Sequence, residues 1–256
     1  MIGRLGHCLR SLAVASFAGL GGVLAGAAAV TAQELVDLEL VLAIDTSSSI
    51  NEEEYRLQLD GLAAAFRHPA VAKAVEVAGN RGIAVALVQW AEVFDQVVVV
   101  PWTLVRDSTD AHALADRIAA TPRQIKGGAT AISSALEFAV GEIENSPFEG
   151  LRKVIDLSGD GRANHGPIPT LGRDRAVKRG ITVNGLAILN EIPLLDRYFR
   201  NNVIGGGGAF VMVAKDWQVF EKAILEKLVR EISLSPLAAL QTQDGRRADV
   251  GGSAFR

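Results

Sequence analysis

Apolar residues in this chain come in short continuous blocks. "LVLAI" (40–44), "IAVALV" (83–88), "VVVV" (97–100) and "GLAI" (185–188) show no alternation of apolar and polar positions. Such blocks read as strands buried on both faces. The segments between them carry a different period. After the first block, Tyr55, Leu59, Leu62 and Phe66 recur at i, i+4, i+7 and i+11, one face of a helix. The pattern predicts strands over 36–45, 81–91, 95–105, 152–161 and 181–189, and a last one after the Gly run within 205–214. It predicts helices over 51–66, 109–120, 127–144, 168–179, 192–202 and 216–233. Acidic residues 52–54 suit a helix N-terminus, with Ser49 or Asn51 as its cap.

Strands of this kind alternating with helices imply an α/β fold: a doubly wound, mainly parallel sheet with helices on both faces, Rossmann-like in layout. The short link from Val88 to Val97 predicts one antiparallel strand, and Pro101 puts that strand at an edge or marks its end. No internal repeat is present.

Composition adds a large core, since 49% of the 256 residues are apolar. Residues 1–32 read as a secretory signal peptide. Arg4 and Arg10 open it, an uncharged run from Ser11 to Ala32 follows, and Val30 and Ala32 suit cleavage after Ala32. The run is long enough to span a bilayer, but its glycines and cleavage site favour removal. This predicts a periplasmic or secreted protein, with no stable membrane insertion after cleavage, and a domain over 33–234. Residues 235–256 are polar and Gly-rich and read as a disordered tail. With Arg4 and Arg10 gone, 24 of the 26 basic residues face 29 acidic ones, a net charge of −5. That argues against nucleic-acid binding. Cys8 is the only cysteine. The mature chain therefore has no disulfide, thiol chemistry or thiolate metal site, which fits export from a bacterium.

The candidate chemistry sits where strands end and helices begin, as ligand sites do in open parallel sheets. Three such stretches carry oxygen donors: "DTSSS" (45–49), "GGAT" (127–130) and "SGDG" (158–161). Asp45, Ser47 and Ser49 alternate, so they can face one point while Thr46 and Ser48 face elsewhere. With Thr130 and Asp160 they make two carboxylates and three hydroxyls, all hard donors. These suit a divalent cation, Mg2+ ahead of Mn2+ or Ca2+, and not zinc. Neutral hydroxyls leave such an ion short of anionic ligands and open to a carboxylate from outside.

Asp-x-Ser-x-Ser alone is also a capped turn. A haloacid-dehalogenase type phosphotransferase needs a second carboxylate at the Ser47 position. A serine hydrolase needs a Gly-x-Ser-x-Gly elbow and a histidine base; "DLSGD" lacks the first glycine, and His165 reads as a loop residue. "GGGG" (205–208) has no Gly-Lys-Ser/Thr and precedes a strand, so it reads as a turn. Trp90 and Trp102 read as core or rim packing, and the acids 52–54 as a solvated first turn.

The order "DTSSS", "GGAT", "SGDG" resembles the metal-ion-dependent adhesion site of von Willebrand factor A domains. The likeness spans about residues 36–233 and includes Ala135-Leu136 after Thr130. A narrower likeness, carried by "VDLELVLAIDTSSSI", "VVVPWTL", "VIDLSGDG", "ITVNGLAIL" and "NNVIGGGGAFV", is to a bacterial secreted family known as domain of unknown function 1194. The resemblance implies a von Willebrand A fold. It implies metal ligation by Asp45, Ser47, Ser49, Thr130 and Asp160, with one position left for a Glu or Asp of a protein partner. It implies a non-enzymatic metal-dependent binding module. The alternative is a divalent-metal-dependent hydrolase or phosphatase in the same crevice. In one respect the chain departs from the von Willebrand A pattern: Gly159 stands where a Thr usually precedes the final Asp.

Overall fold

In the computed structural model, residues 33–233 are described. The expected signal peptide (1–32) and polar tail (235–256) lie outside them. The elements run in the order β1 (Glu34–Asp45), α1 (Glu52–Arg67), α2 (Pro69–Ala78), β2 (Ile83–Trp90), β3 (Gln96–Val105), α3 (Ser108–Ala119), α4 (Ile132–Glu144), β4 (Phe148–Gly159), α5 (Pro169–Lys178), β5 (Ile181–Ile188), α6 (Leu195–Asn202), β6 (Val211–Ala214) and α7 (Phe220–Ser233). A 3-10 turn, Trp217–Val219, leads into α7.

The strands form one six-stranded sheet in the order β3-β2-β1-β4-β5-β6. All neighbours are parallel except β2 and β3, which pair antiparallel. β3 is the edge strand that Pro101 implied, because a residue without an N–H leaves a gap in the ladder that an edge tolerates. The doubly wound α/β fold is as expected.

β1 is buried throughout from Val36 to Asp45 and divides the core by parity. Leu38, Leu40, Leu42 and Ile44 point to one face, where Leu59 and Phe66 of α1, Val71 of α2, Leu114 of α3 and Leu228 of α7 cover them. Val41 and Ala43 point to the other, under Leu136 of α4, Ala176 of α5 and Phe199 of α6. Two covered faces are what an uninterrupted apolar strand requires.

Two helices differ most from the expectation. The pattern gave no helix between 67 and 80, yet α2 stands there. It starts afresh because His68 Nδ1 accepts from the Ala70 N–H at 3.1 Å and Pro69 occupies its first turn. The helix expected from 127 opens only at Ile132. Gly127 (φ 102°) and Gly128 (φ 113°) hold the chain in the left-handed region, where no right-handed helix can run.

Candidate metal centre

β1 connects toward β2 on one side, and its other neighbour, β4, connects toward β5. The chain direction across the sheet reverses between them, so their carboxyl ends open a crevice. The register places Ile44 beside Ser158 and Asp45 beside Trp90, which sets the ends of β1 and β4 level.

Asp45 ends β1 and is fully buried. Its Oδ1 accepts from the Ser47 N–H at 2.8 Å, which bends the chain into a turn. From there the residues alternate. The N–H and Oγ1 of Thr46 both donate to the Trp90 carbonyl at 2.9 Å. Ser48 pairs with the glycine loop: its N–H donates to Gly128 O at 2.9 Å, and its Oγ accepts from the Gly128 N–H at 2.9 Å. Ser47 and Ser49 turn inward, with their Oγ atoms 3.2 Å apart. Ser49 Oγ then donates to Asp160 Oδ1 at 2.7 Å.

Thr130 reaches the same crevice from the other side of the sheet. Its N–H donates to Asn164 Oδ1 at 2.8 Å, and the Asn164 N–H donates back to the Thr130 carbonyl at 3.1 Å. A Cβ placed on Gly161 would stand 3.6 Å from Thr130 Oγ1, so Thr130 lies against the residue after Asp160. The structure thus links Asp45, Ser47, Ser49 and Asp160 through these hydrogen bonds and sets Thr130 beside Gly161, the residue after Asp160.

Their electrostatics fit a cation. Asp45 Oδ2 and Asp160 Oδ2 are buried and have no hydrogen-bond partner. Burial, and then the Asp160 charge, push the Asp45 carboxyl up to about 7. Burial also raises Asp160, against the Ser49 hydrogen bond that favours its charged form, and nearby Glu191 and Glu54 add to the rise. Two carboxyls that resist ionising together, each with a bare oxygen, are the surroundings that a divalent cation relieves. All the donors are oxygen. Among the described residues, no group of three His, Cys, Asp or Glu side chains is placed to hold an ion.

Gly159 explains the departure from the von Willebrand A pattern. A Cβ at this position would fall 2.9 Å from Asp45 Oδ2 and 3.6 Å from the Trp90 ring. Trp90 is fully buried, as expected for core packing. Glycine here lets β4 approach the Asp45 carboxylate closely.

The supports of the site carry little sequence signal. Arg123 lies in the irregular stretch between α3 and the glycine loop, with its side chain only 8% exposed. Its Nη2 donates to Thr46 O at 3.0 Å and to Ile50 O at 2.8 Å, clamping the 46–50 turn from outside. Gln58 Nε2 donates to Asp45 O at 3.0 Å. Gln89 Oε1 accepts from the N–H groups of Gln124 and Ile125, and Glu92 Oε1 from that of Ala129. A lone polar residue in a loop or amid apolar ones names no contact, so only Asn164, four positions past Asp160, had a neighbourhood that pointed to it.

The comparisons with known proteins bear on this arrangement. The family model described as "Protein of unknown function (DUF1194)" matches residues 35–236. The chain belongs to that family. Among solved structures, it is similar to proximal thread matrix protein 1 of the mussel byssus with a zinc-occupied MIDAS motif. That likeness has 20% identity and a TM-score of 0.53, covering 77% of this chain and 48% of that one. It is similar to a von Willebrand factor type A protein of Catenulispora acidiphila, at 19% identity and a TM-score of 0.52, covering 79% and 43%. It is also similar to the pilus adhesin SpaC of Lactobacillus rhamnosus GG in its open conformation, at 14% identity and a TM-score of 0.53, covering 77% and 30%. The chain spans under half the length of these proteins. Comparison with curated proteins finds no match. The likenesses establish the fold of this DUF1194 chain as that of von Willebrand factor A domains. No helix among its described residues is long and apolar enough to cross a membrane.

Proposed function

We propose that the chain is an exported protein-binding module whose crevice holds a divalent cation and captures an acidic side chain of a partner protein. The observation that carries this reading is the pair of buried, unpartnered oxygens, Asp45 Oδ2 and Asp160 Oδ2, beside three hydroxyl-bearing residues. A buried carboxylate oxygen without a donor is costly, and a cation between the two offsets that cost. The mussel protein, described with a zinc-occupied MIDAS motif on a similar fold, supports a divalent ion here.

Asp45, Ser47, Ser49, Thr130 and Asp160 are the residues that would hold the ion, with Mg2+ the expected species. Bound there, the ion supplies a positive charge with few anionic ligands, which draws a carboxylate from outside. The chain's own groups do the rest. Ser49 keeps Asp160 oriented through its 2.7 Å bond, and the Ser47 N–H keeps Asp45 oriented through its 2.8 Å bond. Arg123 and the Ser48–Gly128 pairing hold the turn that presents both serines.

Thermal unfolding tests the ion site. Mg2+ or Mn2+ should raise the melting temperature over chelator in the wild type and not in Asp45→Ala; an ion at one hundred times its Kd adds about 2.7 kcal/mol of stability. A wild type indifferent to every divalent ion refutes the reading. Capture of envelope proteins with and without chelator then addresses the partner.

A further inference from the structure

The crevice lies between two walls of opposite chemistry. One is on the side of α1, which covers the Leu38–Ile44 face of the sheet. The first turn of α1 carries Glu52, Glu53 and Glu54. Asn190 Nδ2, from the loop after β5, donates to Glu54 Oε1 at 3.4 Å, which brings exposed Glu191 to the same rim. This wall is acidic apart from Glu52, which pairs with Arg123 at 3.7 Å.

The other wall is on the side of α4, which covers the opposite face. There a cavity of about 410 Å³ is lined by Val93, Phe138, Pro167 and Leu171 together with polar Gln96, Ser133 and Ser134 and with Glu137, whose carboxylate is paired with Arg175. That volume lies within the roughly 300–1,000 Å³ of ligand pockets. It adjoins the candidate metal centre through the backbone. The Ala131 N–H donates to Ala91 O at 2.8 Å, and Gly166 packs so closely on Val93 that a Cβ there would meet its Cγ2 at 2.8 Å. Leu171 of this lining is 56% exposed, and Phe94 and Ile168, next in sequence to the lining residues Val93 and Pro167, are 94% and 64% exposed. Isolated exposed apolar residues are ordinary, but several gathered round one pocket mark a contact surface.

We infer that the partner segment carries a bulky apolar side chain on one side of its captured acid, seated in the cavity of Val93, Phe138, Pro167 and Leu171, and a lysine or arginine on the other, facing Glu54 and Glu191. This rests on the metal-dependent reading above and adds the kind of partner. Charge decides the occupant. A segment with several acids would be repelled by the α1 wall, whereas a basic neighbour offsets it and orients the segment across the crevice. An apolar anchor in this cavity then supplies most of the affinity.

A displayed library of random peptides with a fixed central Asp tests this. It is selected on the immobilised full chain in Mg2+ and eluted with chelator. We expect enrichment of Leu, Ile, Phe or Trp on one side of the Asp and of Lys or Arg on the other. A selected peptide should lose about tenfold in affinity, or 1.4 kcal/mol, on Phe94→Ser or Leu171→Ser. Both residues are exposed, so both variants should keep the wild-type ion-induced rise in melting temperature. Glu191→Gln should weaken the basic preference. Chelator-eluted peptides without these preferences overturn the inference and leave the metal reading standing. Apolar preference that survives Asp45→Ala overturns it too, since the cavity would then bind independently of the ion. A wild type that yields no chelator-eluted peptides overturns both the inference and partner capture, while the melting experiment judges the ion separately.

Discussion

Gly159 shows how one residue sets the geometry around a carboxylate. Its missing side chain lets β4 lie against Asp45 Oδ2 at a distance that no Cβ tolerates. Gly159→Ala should lower stability by about 1–3 kcal/mol, read as a shift in the denaturant midpoint, and should shrink the ion-induced rise in melting temperature. Gly159→Thr, which restores the usual von Willebrand A residue, should do worse. Arg123 is a second test at this scale. Arg123→Ala removes donors to the Thr46 and Ile50 carbonyls and should cost about 2–4 kcal/mol. Arg123→Lys should not restore it, because one ammonium cannot reproduce the planar fork. Asp45, Ser47 and Ser49 were legible because alternation past a strand end is a geometric property of the sequence, and Thr130 and Asp160 because they stand where a helix is about to start and a strand has just ended. Arg123, Gln58 and Gln89 were not. Their partners are backbone groups far along the chain, and no periodicity announces such contacts.

Among the elements, α7 is attached by more than its apolar face. Lys227 Nζ lies 2.5 Å from Asp156 Oδ1 of β4 and 2.6 Å from Glu231 Oε1, all of them buried. Asn184 of β5 donates to Glu231 at 3.0 Å, and Arg152 donates to the Glu231 and Ile232 carbonyls. Two carboxyls share one ammonium. Burial, and then the Asp156 charge, push Glu231 up from 4.5 to about 8, against the pull of Lys227. The folded protein thus holds a proton that the unfolded chain has released. Its stabilising effect is complete below about pH 4.5 and is lost as pH rises toward 8. Glu231→Gln imitates the protonated form. Urea melts at pH 5 and pH 9 should show the variant gaining on the wild type at the higher pH; a difference that does not change with pH would refute this account. Element types were largely legible, since continuous and helical apolar periods differ plainly. The exceptions have local causes. The break at His68–Pro69 hid α2, and the positive φ of Gly127 and Gly128 delayed α4.

At the scale of the molecule, the sheet order makes the site. β1 lies at the centre with β2 and β4 on either side, so Asp45, Thr130 and Asp160 converge only when all three strands and the loop before α4 are in place. Ion binding should therefore slow amide hydrogen exchange at residues 45–49, 128–131 and 160–164 together. It should leave the opposite end of the sheet, near Glu34 and Phe148, unchanged. The fold class could be read from the sequence because the whole chain repeats one alternation of strand and helix. The two walls of the crevice could not, because an exposed Phe94 or Glu191 acquires meaning only from what the fold sets beside it. The direct contact between Ser49 and Asp160 joins residues 111 positions apart. No fragment ending before residue 160 contains the site, and a nascent chain synthesised only that far has no preformed place for the ion. On the proposed function, metal capture would be a late event in the life of each molecule, a report that the sheet has assembled correctly. A chain whose β4 failed to dock beside β1 would neither take up the ion nor recognise a partner, so misfolded copies would not compete with folded ones.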